Sequence, residues 1–216
     1  MAKRPVFIPN IEGKPVIKKE VEFTWNPGFS KVQKQKNVEE IHNKAKKQGI
    51  FPVLEISTKS NNDLGKQLSA FNLKIRLKNE TYVTVEAAFQ SSKVFEKGGP
   101  YLEMLKLSGR ELKKDNRLKN SGKLIYFLFE NNRWELEPKR AFYDWLYINA
   151  LLQNRTLSEK ILEYNGFTDI EFNPKKQINC QAYSAALYVS LNKRGILNKV
   201  IKSKDSFLKF LESFTI

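Results

Sequence analysis

Glu86, Gln90 and Lys93 carry side chains that can act together on one bond. They lie in the stretch Thr84 to Lys93, TVEAAFQSSK, which follows a short β-rich run from Tyr82 to Val85 and reads as a helix stopping at Gly98-Gly99-Pro100. At about 100° per residue the three fall within about 60° of one another on the helix wheel. Val85, Ala88, Ser92 and Phe95 make the neighbouring apolar stripe, with Phe89 between the two faces. Such a helix packs one side into a core and presents a carboxylate, an amide and an amine along its edge. A carboxylic acid beside an amine is a working pair for cleaving a bond at an anomeric carbon, because the acid moves a proton and the amine attacks or balances charge. The competing reading is a solvated Glu–Lys pair on a surface helix.

The elements that must position this edge come from both sides of it. Leu73, Ile75 and Leu77 alternate with Lys74, Arg76 and Lys78, a half-buried strand that turns at Asn79-Glu80 into Thr81 to Val85. A hairpin therefore feeds directly into the Glu86 helix. Upstream, residues 1 to about 28 alternate apolar with charged positions, and Val16, Val21 and Phe23 suggest an extended arm or edge strand. Ser30 can cap a helix to about Gln48, sparse in apolar residues (Val32, Val38, Ile41, Ala45) and decorated by Lys31, Lys34, Lys36, Lys44, Lys46 and Lys47. This is either a solvated helix lying on the domain or a contact for a nucleic-acid backbone. His42 shares the side of Val38 and Ile41 and reads as packed.

Pro52 to Ser57 reads as a strand, and Asn61 or Asn62 caps a short helix to Ala70. Ser108 and Glu111 fit a capping box, opening a helix with Arg110, Lys113 and Lys114, then Arg117 and Lys119. That is either a phosphate seat or a surface charge run. Lys123 to Phe129 is an apolar strand turned at Asn131-Asn132. A helix from Pro138 to about Gln153 puts Ala141, Phe142, Trp145, Ile148, Asn149 and Leu152 on one core face, with Asp144 at its edge. Thr156 to Glu159 fits another capping box, Phe167 to Phe172 a short strand with two carboxylates, and Asn179 the cap of a helix to about Arg194. A last amphipathic helix runs from about Asp205 to Phe214. The expected fold is α+β: a mainly helical single domain with a small antiparallel sheet of hairpins and an extended N-terminal arm. Residues 1–60 make the arm and basic helix, and residues 61–216 the domain that carries the chemistry.

Composition narrows the function classes. The 216-residue chain carries a net charge of +15, which favours polyanionic partners: nucleic acid or a phosphate-bearing ligand. No apolar run approaches the roughly 20 residues that span a bilayer. The N-terminus lacks the apolar core of a secretory signal, so a cytoplasmic protein is expected. One cysteine, Cys180, excludes an internal disulfide framework, and one histidine, His42, beside it makes a zinc site a poor expectation. No metal and no cofactor are expected. No glycine-rich phosphate loop, dinucleotide fingerprint or nucleophile elbow is present.

The segment Leu68-Ser-Ala-Phe71-Asn72 and the helix Thr84-Val-Glu86-Ala-Ala-Phe-Gln90-Ser-Ser-Lys93 together resemble the NADAR superfamily, the NAD- and ADP-ribose-associated N-glycosidases. In that family a Ser/Asn-Phe-rich segment precedes a strand, a turn and a helix of pattern [ST]-x-E-H-x-x-Q-x-x-K. The usual His after the Glu is Ala87 here, a departure. The arm and the stretches PGFSKVQKQK, KVFEKGGPY, AFYDWLYINAL and FTDIEFNPKKQINCQA look like one branch, the NADAR antitoxins encoded beside DarT-type DNA ADP-ribosyltransferase toxins.

That resemblance implies hydrolysis of an N-glycosidic bond, and for this branch the removal of ADP-ribose from guanine bases in DNA. It makes ADP-ribosylated DNA the substrate and a DarT-type toxin the possible partner, with no membrane. Cleavage must stabilise positive charge at the ribose anomeric carbon and supply a proton to the leaving group. Glu86 is expected to move that proton or activate water. Lys93 either attacks and forms a Schiff base, which requires a dry pocket that keeps the amine neutral, or orients Glu86 as a cation. Asp169 matches a family position for a second acid. Phe71 is expected to stack on a base, Asn72 and Gln90 to hold ribose hydroxyls, and Arg110, Lys113 and Arg117 to clamp the diphosphate. Asn179 and Gln181 are expected to line the same pocket. Two other readings remain: an N-glycosidase for a small phosphorylated nucleotide intermediate, and a nucleic-acid- or toxin-binding antitoxin without turnover.

Overall fold

A computed structural model describes residues 1–214, apart from the side chain of Lys113. The arm is extended and doubles back on itself as a hairpin of β1 (Ala2–Pro9) and β2 (Val16–Phe23). The alternation read from the sequence turns Val6, Val21 and Phe23 inward onto α1 (Lys31–Lys47), where Val38, Ile41 and Ala45 meet them. Ser30 caps α1 as expected, its hydroxyl accepting from Gln33 N. β3 (Val53–Glu55) follows, and then α2 (Asp63–Gln67), capped by Asn62.

The hairpin of β4 (Lys74–Arg76) and β5 (Tyr82–Thr84) delivers the chain into α3 (Val85–Ser91). Contrary to expectation, α3 ends there rather than at Gly98. The hydroxyls of Ser91 and Ser92 both donate back to the Ala88 carbonyl, at 3.1 and 2.6 Å, and compete with the helical ladder. Lys93 is therefore the first residue of a strand, β6 (Lys93–Phe95). After α4 (Gly109–Lys114) and α5 (Arg117–Asn120) come β7 (Leu124–Phe129), which pairs with β6, and β8 (Asn132–Trp134).

α6 (Ala141–Leu152) and α8 (Gln181–Lys193) pack in the main core. Between them α7 (Arg155–Lys160) starts from an Asn154 cap rather than the predicted Thr156–Glu159 box, since Asn154 Oδ1 already accepts from Leu157 N. β9 (Gly166–Thr168) stops one residue short of Asp169, so the two carboxylates expected on a strand sit in the turn beyond it. α8 begins after Cys180, not Asn179, with no side-chain cap. α9 (Leu197–Ile201) and α10 (Lys204–Glu212) close the described chain.

The result is a mainly helical α+β fold with three small sheets among the described residues. One has the order β2-β1-β9-β3, antiparallel except for the parallel β3–β9 pair; the others are β4-β5 and β6-β7-β8. β1 lies inside the first sheet although it contains Pro5 and Pro9. It meets β9 only at Phe7 opposite Phe167, so neither proline is asked for a donor on that side. α6 is buried on nearly every side. Tyr143, Leu146, Tyr147 and Ala150 are buried, whereas Trp145, Asn149 and Leu152 of the predicted stripe are only half-buried, and Asp144 is paired with Arg140 at 2.8 Å rather than solvated. A helix walled in all round has no polar face for periodicity to reveal.

Candidate active site

Backbone hydrogen bonds fix Glu86 before its side chain is considered. Val85 N donates to Leu73 O and Glu86 N to Ala70 O, both at 2.9 Å, and the Thr84 hydroxyl caps the helix at Ala87 N. The start of α3 is thus tied to the loop that carries Phe71. Ala87, where the family pattern has His, is buried against Met104 and Leu112 and leaves no room for an imidazole without repacking. Glu86 and Gln90 face a cavity of about 420 Å³ whose wall also includes Phe71, Asp169, Asn179 and Gln181. Gln90 Nε2 donates to Glu86 Oε1 at 2.9 Å, which holds the carboxylate in place. Gln90 Oε1 is itself buried without a partner among the described residues.

Asp169 is positioned by a carboxylate behind it. Glu55, at the end of β3, is fully buried; its Oε2 accepts from Thr168 Oγ1 at 2.7 Å and its Oε1 from Ile170 N at 2.9 Å. Ser57 Oγ donates to Oε1 as well, at 2.6 Å. Glu55 therefore grips the residues on both sides of Asp169. Enclosure by protein, and then the nearby Glu55, raise the Asp169 pKa well above the carboxylate range, against hydrogen bonds from Glu171 N and the Gln181 amide. Burial raises Glu55 likewise. A carboxyl opening into a cavity, its pKa pushed up by burial and a neighbouring carboxylate, is suited to donate a proton. Gln181 completes the frame: its Oε1 accepts from Ala70 N at 2.7 Å and its Nε2 donates to Ile56 O at 2.6 Å.

Lys93 lies on the other side of Phe89. Its ammonium nitrogen stands 5.1 Å from the centre of that ring and lines an adjoining cavity of about 300 Å³. The two cavities share Phe89, Tyr143, Ile178 and Asn179. Burial lowers the Lys93 pKa, and the Glu86 charge acts in the opposite sense. The β6 backbone leaves no slack here: Gly99, at φ +94°, approaches so closely that a Cβ would lie 2.2 Å from Lys93 O.

Other expected residues are not brought to either cavity. Asn72 is exposed and its amide donates to Lys66 O at 2.7 Å. Arg110 is exposed on α4. The Lys113 side chain lies outside the described part of the molecule. Arg117 pairs with Asp115 at 2.7 Å and with Glu103, over the Tyr101 ring. The box at Ser108 forms, and its Glu111 carboxylate occupies the helix start where a phosphate was expected.

Tyr143 was missed. It lines both cavities, edge-on to Phe89 at 5.1 Å, and burial, then Glu86, raise its phenol pKa. Its place in an apolar helix gave no signal beyond that of a core aromatic. Glu171, Gln177 and Ile178 were missed as well, because they lie in an irregular turn.

No curated protein matches the chain. The family model described as the DarT1-associated NADAR antitoxin matches residues 2–216, essentially the whole sequence that builds the two cavities, and the chain belongs to that family.

Proposed function

We propose that the paired cavities form a glycohydrolase site that removes ADP-ribose from modified guanine bases in DNA, with Glu86 as the acid/base. Family membership supports an antitoxin role, a glycohydrolase type of activity and a cognate DarT toxin. The observation that carries the finer reading is the placing of two carboxyl groups, Glu86 and Asp169, on one cavity, with a buried amine beside Phe89.

In this reading the bond between the anomeric carbon and the base nitrogen breaks. The protonated Asp169 carboxyl supplies the proton that the leaving nitrogen takes up. Glu86, held by the Gln90 amide, receives a proton from the nucleophile as it adds to the anomeric carbon. With water as nucleophile, hydroxide ends on the sugar and hydrogen on the base. With Lys93, the neutral amine adds to the anomeric carbon as the bond to the base breaks. The C1–O4′ bond then opens with a proton passing to the ring oxygen, which leaves a Schiff base. Water adds to that imine and expels the amine as the ribose closes again. The Gln90 side chain holds a ribose hydroxyl, and Phe71 and Phe89 flank the flat base. A small phosphorylated nucleotide is the other substrate class, and the +15 charge favours the polymer.

The deciding experiment is incubation with an ADP-ribosylated oligonucleotide and measurement of free ADP-ribose. Glu86→Gln is expected to keep binding the modified DNA while release falls by about 10²-fold or more. Unchanged release would remove Glu86 from the chemistry. Full protection against toxin by a variant without turnover would establish the non-catalytic antitoxin instead.

A further inference from the structure

The rim of the Glu86 cavity is built from the turn after Asp169, and cations flank it on two sides. Glu171, Gln177 and Ile178 form the lip, with Ile178 58% exposed. Within this turn Asn173 accepts from Lys175 N through its side chain and from Lys176 N through its carbonyl, both at 3.0 Å, which holds Lys175 and Lys176 out in solvent. Across the lip, Lys34 of α1 reaches Glu171 at 3.3 Å and the Trp25 ring at 5.9 Å. One helical turn before Lys34 stands the Ser30 cap, and beside it Phe29 is 98% exposed. Lys31 follows the cap and adds to the lowering of the Asp63 pKa, and among the described residues Lys31, Lys175 and Lys176 make no salt bridge within 4 Å.

A base cannot reach Glu86 and Asp169 while stacked in a duplex, so a nucleic-acid substrate must present it unstacked, leaving its neighbour without a stacking partner. An exposed ring about one helical turn from the lysine that reaches the lip, with exposed lysines in the lip turn itself, offers what a single strand uses: an aromatic face for a base and cations for phosphates. Resting on the proposed function, we infer that this rim is a track for single-stranded nucleic acid, in which Phe29 stacks on a base next to the modified one and Lys31, Lys175 and Lys176 take the adjoining phosphates. A protein partner would match the charge, but the exposed large apolar side chains of these segments are Phe29, Val32 and Ile178, too little for the core of a protein interface.

The test uses the full chain and an unmodified, fluorescein-labelled single-stranded oligonucleotide read by anisotropy, so that it does not depend on turnover. Phe29→Ala is expected to weaken binding about tenfold. The triple variant Lys31→Glu, Lys175→Glu, Lys176→Glu is expected to weaken it further and to reduce the salt slope by about 0.7 for each phosphate that is no longer neutralised. Thermal melting of each variant checks folding. Release of ADP-ribose from a modified mononucleoside is expected to stay at the wild-type rate in both variants, while release from the oligonucleotide shows a raised KM. Oligonucleotide binding equal to wild type in both variants would overturn the track, as would variants that lose only toxin binding. Rim-dependent oligonucleotide binding without any ADP-ribose release would leave the track standing and sink the glycohydrolase.

Discussion

At the scale of single residues, the site separates groups that the sequence placed together. Glu86 and Gln90 share a helical edge, as their spacing implied, and a hydrogen bond joins them. Lys93 reaches the neighbourhood by another route, from a strand, with Phe89 between it and the acid. Its amine is more easily freed of its proton than an ordinary lysine's, because burial outweighs the pull of Glu86. If the neutral amine attacks, kcat/KM rises as pH climbs through the Lys93 pKa, and that ascending limb is expected below the usual lysine value of about 10.4. Borohydride added during turnover is expected to trap an adduct on the protein that Lys93→Ala lacks; a clean early mass spectrum would assign the attack to water. Residue types and short spacings made Glu86, Gln90 and Lys93 legible. Arg117 was misleading in sequence, since its cation is balanced by Asp115 only two residues away and by Glu103, which approaches only in the fold.

At the scale of elements, the parallel pairing of β3 with β9 does the positioning. It sets Glu55 beside Thr168, so that one buried carboxyl fastens the turn bearing another. Glu55→Gln keeps the shape but removes the nearby negative charge, so the Asp169 pKa is expected to fall. Because the protonated acid is lost as pH rises through that pKa, the descending limb of the pH–rate profile moves to lower pH. A uniform drop in rate with no displacement of the limb would reduce Glu55 to a structural support. Local signals found the β4–β5 hairpin, the caps at Ser30 and Ser108 and the strand of residues 124–129. They did not find the Glu55 clamp, because a pairing between residues more than a hundred positions apart leaves no periodicity in either segment.

At the scale of the molecule, α1 is bound to the sheet by His42 as well as by its apolar residues. His42 Nε2 lies 2.9 Å from Thr168 Oγ1, and burial lowers its pKa from 6.5 to about 4. The unfolded chain takes up a proton near pH 6.5 that the folded chain refuses until about pH 4, so this contribution is complete above pH 6.5 and is lost as pH falls through that window. The linkage amounts to about 3 kcal/mol. His42→Gln is expected to flatten the decline in melting temperature between pH 6.5 and 4; an unchanged decline would assign acid sensitivity to other groups. The mixed α+β class and the extended arm were legible from composition and alternation. The burial of α6 on nearly every side was not, because its sequence is apolar in every direction.

The pairing of Phe7 with Phe167 has a consequence for the order in which the molecule is made. A ribosome delivers β1 and β2 well before the strand that seats against them and the acid that follows that strand, which emerge more than 140 residues later. A chain cut short upstream of Gly166 lacks β9 and Asp169, and under the proposed function it is expected to release no ADP-ribose from toxin-modified DNA.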